Sequence, residues 1–178
     1  MSAVLVGACL APPPNAPAGG VKTPLNFGAP NGPATLTRLV PLPKVLKEEA
    51  EQLQLTATAR IVTDAASAQV GEQLAEVLRR STGFELPLVP PPHQAGDIVL
   101  GLAPDPMAGG DEGYELNVTD RVTLLASKPA GLFYGTITLR QMLPPEVEAT
   151  SPQAGMAWKL QKAHIEDSPY YGWREIGR

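Results

Sequence analysis

Twenty prolines divide this chain before any other feature is considered. They gather before Pro43, around Pro87–Pro92 and at Pro144–Pro145. Proline has no backbone N–H and a fixed φ, so these clusters are loops or linkers, and regular structure has to fit between them. Residues 1–33, rich in Pro, Gly and Asn after a short apolar start, read as a leader followed by a linker. Residues 34–166 read as one domain, and 43% hydrophobic residues supply enough apolar material for its core.

Within that domain the pattern becomes regular at Leu53. Leu53, Leu55, Ala57, Ala59 and Ile61 alternate with polar residues, which predicts one half-buried strand. Ser67–Thr82 carries Val70, Leu74, Val77 and Leu78 at helical spacing; Ser67 or Asp64 is placed to cap its start and Gly83 to end it. Asp97–Leu102 is a short apolar strand. Tyr114–Thr119 and Val122–Ser127 form a hairpin about Asp120-Arg121. Pro129 precedes a second helix over Ala130–Leu143, closed by Pro144-Pro145. Gly131 and Gly135 let that helix approach its neighbour closely. Trp158–Glu166 is a last strand. The expected fold is an α+β two-layer sandwich, with a mostly antiparallel or mixed sheet and two helices on one face.

Charge and ligand chemistry narrow the function. The net charge is −4 with no Lys/Arg cluster, which excludes a nucleic-acid partner. Cys9 is the only cysteine, so there is no internal disulfide, and His93 and His164 stand far apart without a ligand cluster. No metal or other cofactor is expected. No apolar run reaches the roughly 20 residues needed to span a bilayer. Ser2–Ala8 followed by Cys9 resembles a bacterial lipobox, which makes Cys9 a candidate lipidation site with residues 11–33 as the tether. An incidental cysteine in a disordered leader is the alternative. A membrane contact is expected only through such an anchor, and the location implied is extracytoplasmic and bacterial.

Three segments resemble one known family. Leu39–Lys44 (LVPLPK) is followed by a strand ending at Arg60–Asp64. Glu112–Leu143 contains Glu112-Gly113-Tyr114, Ala126, Gly131-Leu132-Phe133-Tyr134-Gly135 and Thr138-Leu139-Arg140-Gln141. Ile165–Arg174 (IEDSPYYGWR) has an Ile-x-Asp-x-Pro pattern followed by aromatics and arginine. Together they are similar to the N-terminal non-catalytic domain of family 20 glycoside hydrolases, the β-N-acetylhexosaminidases. The resemblance implies an accessory domain of an enzyme that removes terminal β-linked N-acetylhexosamine by substrate-assisted retaining catalysis. It implies that residues 167–178 begin the catalytic (β/α)₈ barrel, which itself needs about 250 residues.

On this resemblance the chain has no catalytic residue of its own. Its partner is the barrel it lacks, with self-association through the face the barrel would cover. Arg174 matches the family arginine that binds hydroxyls of the terminal sugar, although Glu175 stands where the family has glycine. Gly109-Gly110-Asp111-Glu112 looks like the family's catalytic Gly-Asp-Glu context but precedes the barrel start, and Gly-Gly-Asp is ordinary turn chemistry. Tyr134 and Arg140, polar-tipped on an apolar helix, suit an interdomain contact. The sequon Asn117-Val118-Thr119 falls in a strand. A competing function is a stand-alone carbohydrate-binding module, against which stands an aromatic content of only 5%.

Overall fold

The computed structural model describes Leu36, residues 39–103 and residues 109–168. Nine elements follow in chain order. They are β1 (Val45–Gln54), β2 (Ile61–Val62), α1 (Ala68–Thr82), β3 (Leu88–Val89), β4 (Ile98–Leu102), β5 (Tyr114–Val118), β6 (Val122–Ala126), α2 (Pro129–Met142) and β7 (Lys159–Asp167). The strands form one mixed sheet in the order β1-β7-β5-β6-β4-β2-β3. Pairing is antiparallel from β1 to β6 and parallel from β6 to β3. Helical crossovers connect strands that run the same way: α1 joins the parallel pair β2 and β3, and α2 joins β6 to β7 across the intervening β5.

Register shows why both helices lie on one side. Leu100, Leu124, Leu116 and Ile165 stand abreast on neighbouring strands and are 0–2% exposed. A side chain at Gly71 of α1 would come 3.5 Å from Leu100, and one at Gly135 of α2 would overlap Leu124. Both helices therefore cover this row. The next row, Val99, Thr123, Asn117 and His164, points the other way and is half-exposed. The result is the expected α+β sandwich with two helices on one face.

The edges of the elements differ from the sequence reading. The strand expected over Leu53–Ile61 is two strands with a turn between them: Leu53 is the last but one residue of β1, Ala57 is exposed in the turn, and Ile61 opens β2. The apolar alternation survives the turn because Leu55 and Ala59 still drop into the core. Most of β1 lies before that alternation, in a run of exposed Lys, Glu and Gln.

The start of α1 is also built differently. Neither Ser67 nor Asp64 caps it by a side-chain bond to the helix. Instead the Asp64 carboxylate accepts from Ala66 N (3.0 Å) and Ser67 N (2.9 Å), closing the turn before the helix. Its bond with the Ser67 hydroxyl, more than these amides, holds Asp64 below its usual carboxylate range. Ser67 is buried and its hydroxyl reaches Leu100 O at 3.1 Å.

The end of α1 follows the expectation. Gly83 is left-handed at φ 73° and its N–H reaches Arg79 O. Arg79 then organises the loop beyond, donating to Glu85 O (2.8 Å), Leu86 O (3.0 Å) and Glu72 (2.8 Å). Leu86 is fully buried with φ 41°, a backbone that leucine adopts only when its surroundings hold it there. Arg79→Met should therefore lower stability by about 1–2 kcal/mol, less than the roughly 1.5–3 kcal/mol of a charged hydrogen bond because the site is partly exposed. A shifted urea midpoint with unchanged slope would show it; no shift would mean that packing alone holds Leu86.

Candidate functional site

The helix layer offers the most distinctive outer surface. Among the described residues the exposed large hydrophobics are Val40, Leu42, Phe133 and Tyr134. Phe133 and Tyr134 lie on α2, their rings edge to face at 6.0 Å and 65°. Val40 is brought to the same helix by Gln141, whose side-chain oxygen accepts from Val40 N (3.1 Å) while its nitrogen donates to Val40 O (3.3 Å). Leu42 follows two residues later. The four apolar side chains thus belong to α2 and the strap tied to it, although they are far apart in sequence.

Beside Phe133 a shallow groove of about 230 Å³ runs between the helices, lined by Gln73, Leu74, Glu76, Val77, Phe133, Thr136 and Arg140. Arg140 is fixed there by a forked pair with Glu148, at 2.6–3.0 Å. Its charge is already matched within the domain, so it shapes the groove wall. Tyr134 is 37% exposed.

One end of this face adjoins the last described residues. Tyr114 opens β5, is 4% exposed, and places its hydroxyl 2.6 Å from Thr138 on α2 and 3.5 Å from Asp167 on β7. Burial, assisted by the Asp167 carboxylate and opposed by the Thr138 bond, pushes the phenol up to about 12. The hydroxyl therefore remains a neutral donor at any ordinary pH. Asp167 also accepts from Lys44 N (3.4 Å), and the Lys44 ammonium donates to the Ser168 hydroxyl. This small network joins the entry to β1, the helix layer and the exit of β7.

The two candidates named for site chemistry, Arg174 and Cys9, lie outside the described residues. So do Tyr170, Tyr171 and Trp173. Asp111 and Glu112 lie in a one-turn 3₁₀ helix, Gly110–Glu112, framed by left-handed Gly109 and extended Gly113. Asp111 is exposed and Glu112 half-exposed. A carboxylate in that setting is in contact with water, not enclosed against a sugar ring. Glycine is needed at 109 because its φ is 101° and Ser168 packs where a side chain would be.

The open face of the sheet carries a second polar group. Asn117 Nδ2 donates to Glu115 (2.6 Å), Asn117 Oδ1 lies 2.6 Å from His164 Nδ1, and Glu166 lies 2.9 Å from His164 Nε2. Both ends of the sequon amide are thus engaged within a strand, whereas an acceptor asparagine belongs on a surface loop. His93 is elsewhere, against Arg121 at the hairpin end. Among the described residues no group of three His, Cys, Asp or Glu is placed to hold a metal. The histidine cluster was not read from the sequence, since its members are spread over two strands that only the β5–β7 pairing brings together.

Comparison with known proteins follows from this geometry. The family described as "Glycosyl hydrolase family 20, domain 2" matches residues 36–168. A β-hexosaminidase of Porphyromonas gingivalis is 27% identical over 138 residues, 76% of this chain and 18% of that protein. Among solved structures, the GH20 β-N-acetylhexosaminidase of Streptomyces coelicolor A3(2) superposes with a TM-score of 0.71 at 40% identity, over 80% of this chain and 28% of that one. The N-acetyl-β-hexosaminidase of Streptomyces plicatus gives 0.71 and 40% over 82% and 29%. The chain therefore spans about a fifth of the curated relative and under a third of the solved ones.

Proposed function

The chain belongs to the domain 2 family of the family 20 glycosyl hydrolases, and on that premise we propose that it is the accessory domain of a β-N-acetylhexosaminidase, packing its helical face against the catalytic barrel. The observation that carries this reading is the gathering of Val40, Leu42, Phe133 and Tyr134 at α2, beside the exit of β7 at Ser168. Large apolar side chains exposed along one helix and its strap favour cover by another protein surface, and Thr138 of the same helix meets Asp167, next to Ser168, through Tyr114. On this reading the full enzyme trims terminal β-linked N-acetylhexosamine outside the cytoplasm. The chemistry belongs to the barrel, with Arg174 at its start and Cys9 as the lipid anchor. The 178 residues here bind and support.

Among the described residues the aromatic side chains disfavour a carbohydrate-binding module. A pyranose ring stacks on a flat, open aromatic face, yet Tyr114 and Trp158 are 4% and 1% exposed. Phe133 and Tyr134 meet edge to face, so neither extends the other into a platform.

Two measurements test the proposal. The purified chain should give no release of nitrophenol from a nitrophenyl N-acetylglucosaminide and no saturable heat with chitobiose; turnover or saturation would overturn it. In the enzyme that carries this domain, Phe133→Asp with Tyr134→Asp should lower the melting temperature of the catalytic part by several degrees, leaving KM little changed. A melting temperature unmoved by both charges would mean that the barrel packs elsewhere.

A further inference from the structure

β1 is a ten-residue strand that, among the described residues, has a neighbour on one side only. Its open row of N–H and C=O groups is a template on which a second copy could lay its own β1. The opposite edge is not: β3 has two residues, between Pro87 and Pro90.

The long edge is interrupted in its middle. Register with β7 runs from Val45↔Glu166 to Glu48↔Ala163 and resumes at Gln52↔Gln161, so Glu49, Ala50 and Glu51 stand opposite Lys162 alone. Gln161 is 7% exposed, and its side-chain nitrogen donates to both Glu49 O and Glu51 O, the latter at 3.0 Å. Lys162 pairs with the Glu51 carboxylate. Flattening the bulge would strip a buried amide of two acceptors, so Gln161 holds the bulge open from inside. Two copies pairing antiparallel about Ala50 would also set Glu49 of one against Glu51 of the other, like charge against like.

We propose that the Gln161-anchored bulge guards the long edge of the sheet, and that the partner it excludes is β1 of a second copy of this chain. This does not depend on what the helical face binds.

The test removes the bulge and follows β1 by hydrogen exchange and light scattering. Deleting Ala50 and Glu51 with Gln161→Val restores one-to-one register and leaves no orphaned amide; Gln161→Leu alone is the second variant. The wild-type chain should show unprotected outward-facing amides over Glu48–Gln52 at every concentration. Either variant, folded by circular dichroism, should at least double in mass and gain more than tenfold protection along β1. A folded variant with β1 unprotected would overturn the proposal, as would wild-type protection that grows with concentration. Failure of both variants to fold would overturn it as well, because the bulge would then serve to build the sheet.

Discussion

Alanine at Gly131 is expected to destabilise the chain by about 2–3 kcal/mol, although the same change in an open helix is worth about 1 kcal/mol in the opposite direction. The reversal comes from the surface beneath α2. A Cβ at Gly131 would overlap the Gly113 carbonyl oxygen and stand 2.9 Å from the Ala126 methyl. Neither is the end of a long side chain that could rotate away, so the helix has to lift. Gly135→Ala meets the Leu124 side chain, which is fully buried, and should cost about 1–2 kcal/mol. Urea unfolding of the two variants gives the test, and a gain in stability at Gly131 would contradict the close seating of α2. Because α2 carries Phe133 and Tyr134, lifting it also displaces the surface proposed to meet the barrel.

A second large effect is expected at Asp97. This carboxylate is 1% exposed and accepts from Arg60 Nε (3.0 Å), Arg60 Nη2 (2.6 Å) and Gln94 N (2.7 Å). Burial by itself would raise its pKa; the Arg60 fork and the Gln94 amide outweigh burial and hold it below the usual carboxylate range. Arg60→Met leaves the charge buried with backbone amides as its only donors and should cost about 3 kcal/mol near pH 7. The pH dependence separates this from lost packing. In the wild type the depressed pKa contributes stability above the unfolded value of about 3.9, and that contribution fades as pH falls through the folded value. In Arg60→Met the orphaned carboxylate has a raised pKa, so its penalty shrinks on acidification. The stability gap between the two proteins should therefore narrow from pH 7 to pH 4. A constant gap would assign the loss to the arginine stem.

What could be read in advance followed the strength of periodic burial. α1 and the β5–β6 hairpin carry apolar residues at one clean spacing, α2 is a long apolar run bounded by prolines, and its two glycines were legible as points of close approach. β1 was not, because an edge strand facing water on much of its surface is written in Lys, Glu and Gln. β3 was hidden among prolines, where two residues leave no period to detect. The parallel half of the sheet is a matter of which strands meet, and nothing local in Ile61-Val62 or Ile98–Leu102 specifies a partner. The docking face was partly legible. Tyr134 and Arg140 stood out as polar tips on an apolar helix, but Arg140 is spent on Glu148, while Val40 and Leu42 joined the face only through a glutamine 101 residues away. The Tyr114–Thr138–Asp167 network likewise draws on three elements.

The meeting of Lys44 with Asp167 and Ser168 has a practical corollary. Two points of the backbone more than a hundred residues apart stand within one side chain's reach, so everything from 45 to 167 forms a closed loop. A host turn that accepted the loop at those two points would need no prying apart of its own strands, provided Leu36 and Leu39, which belong to the core, came with it. The loop's melting, in turn, would tug on a single spot.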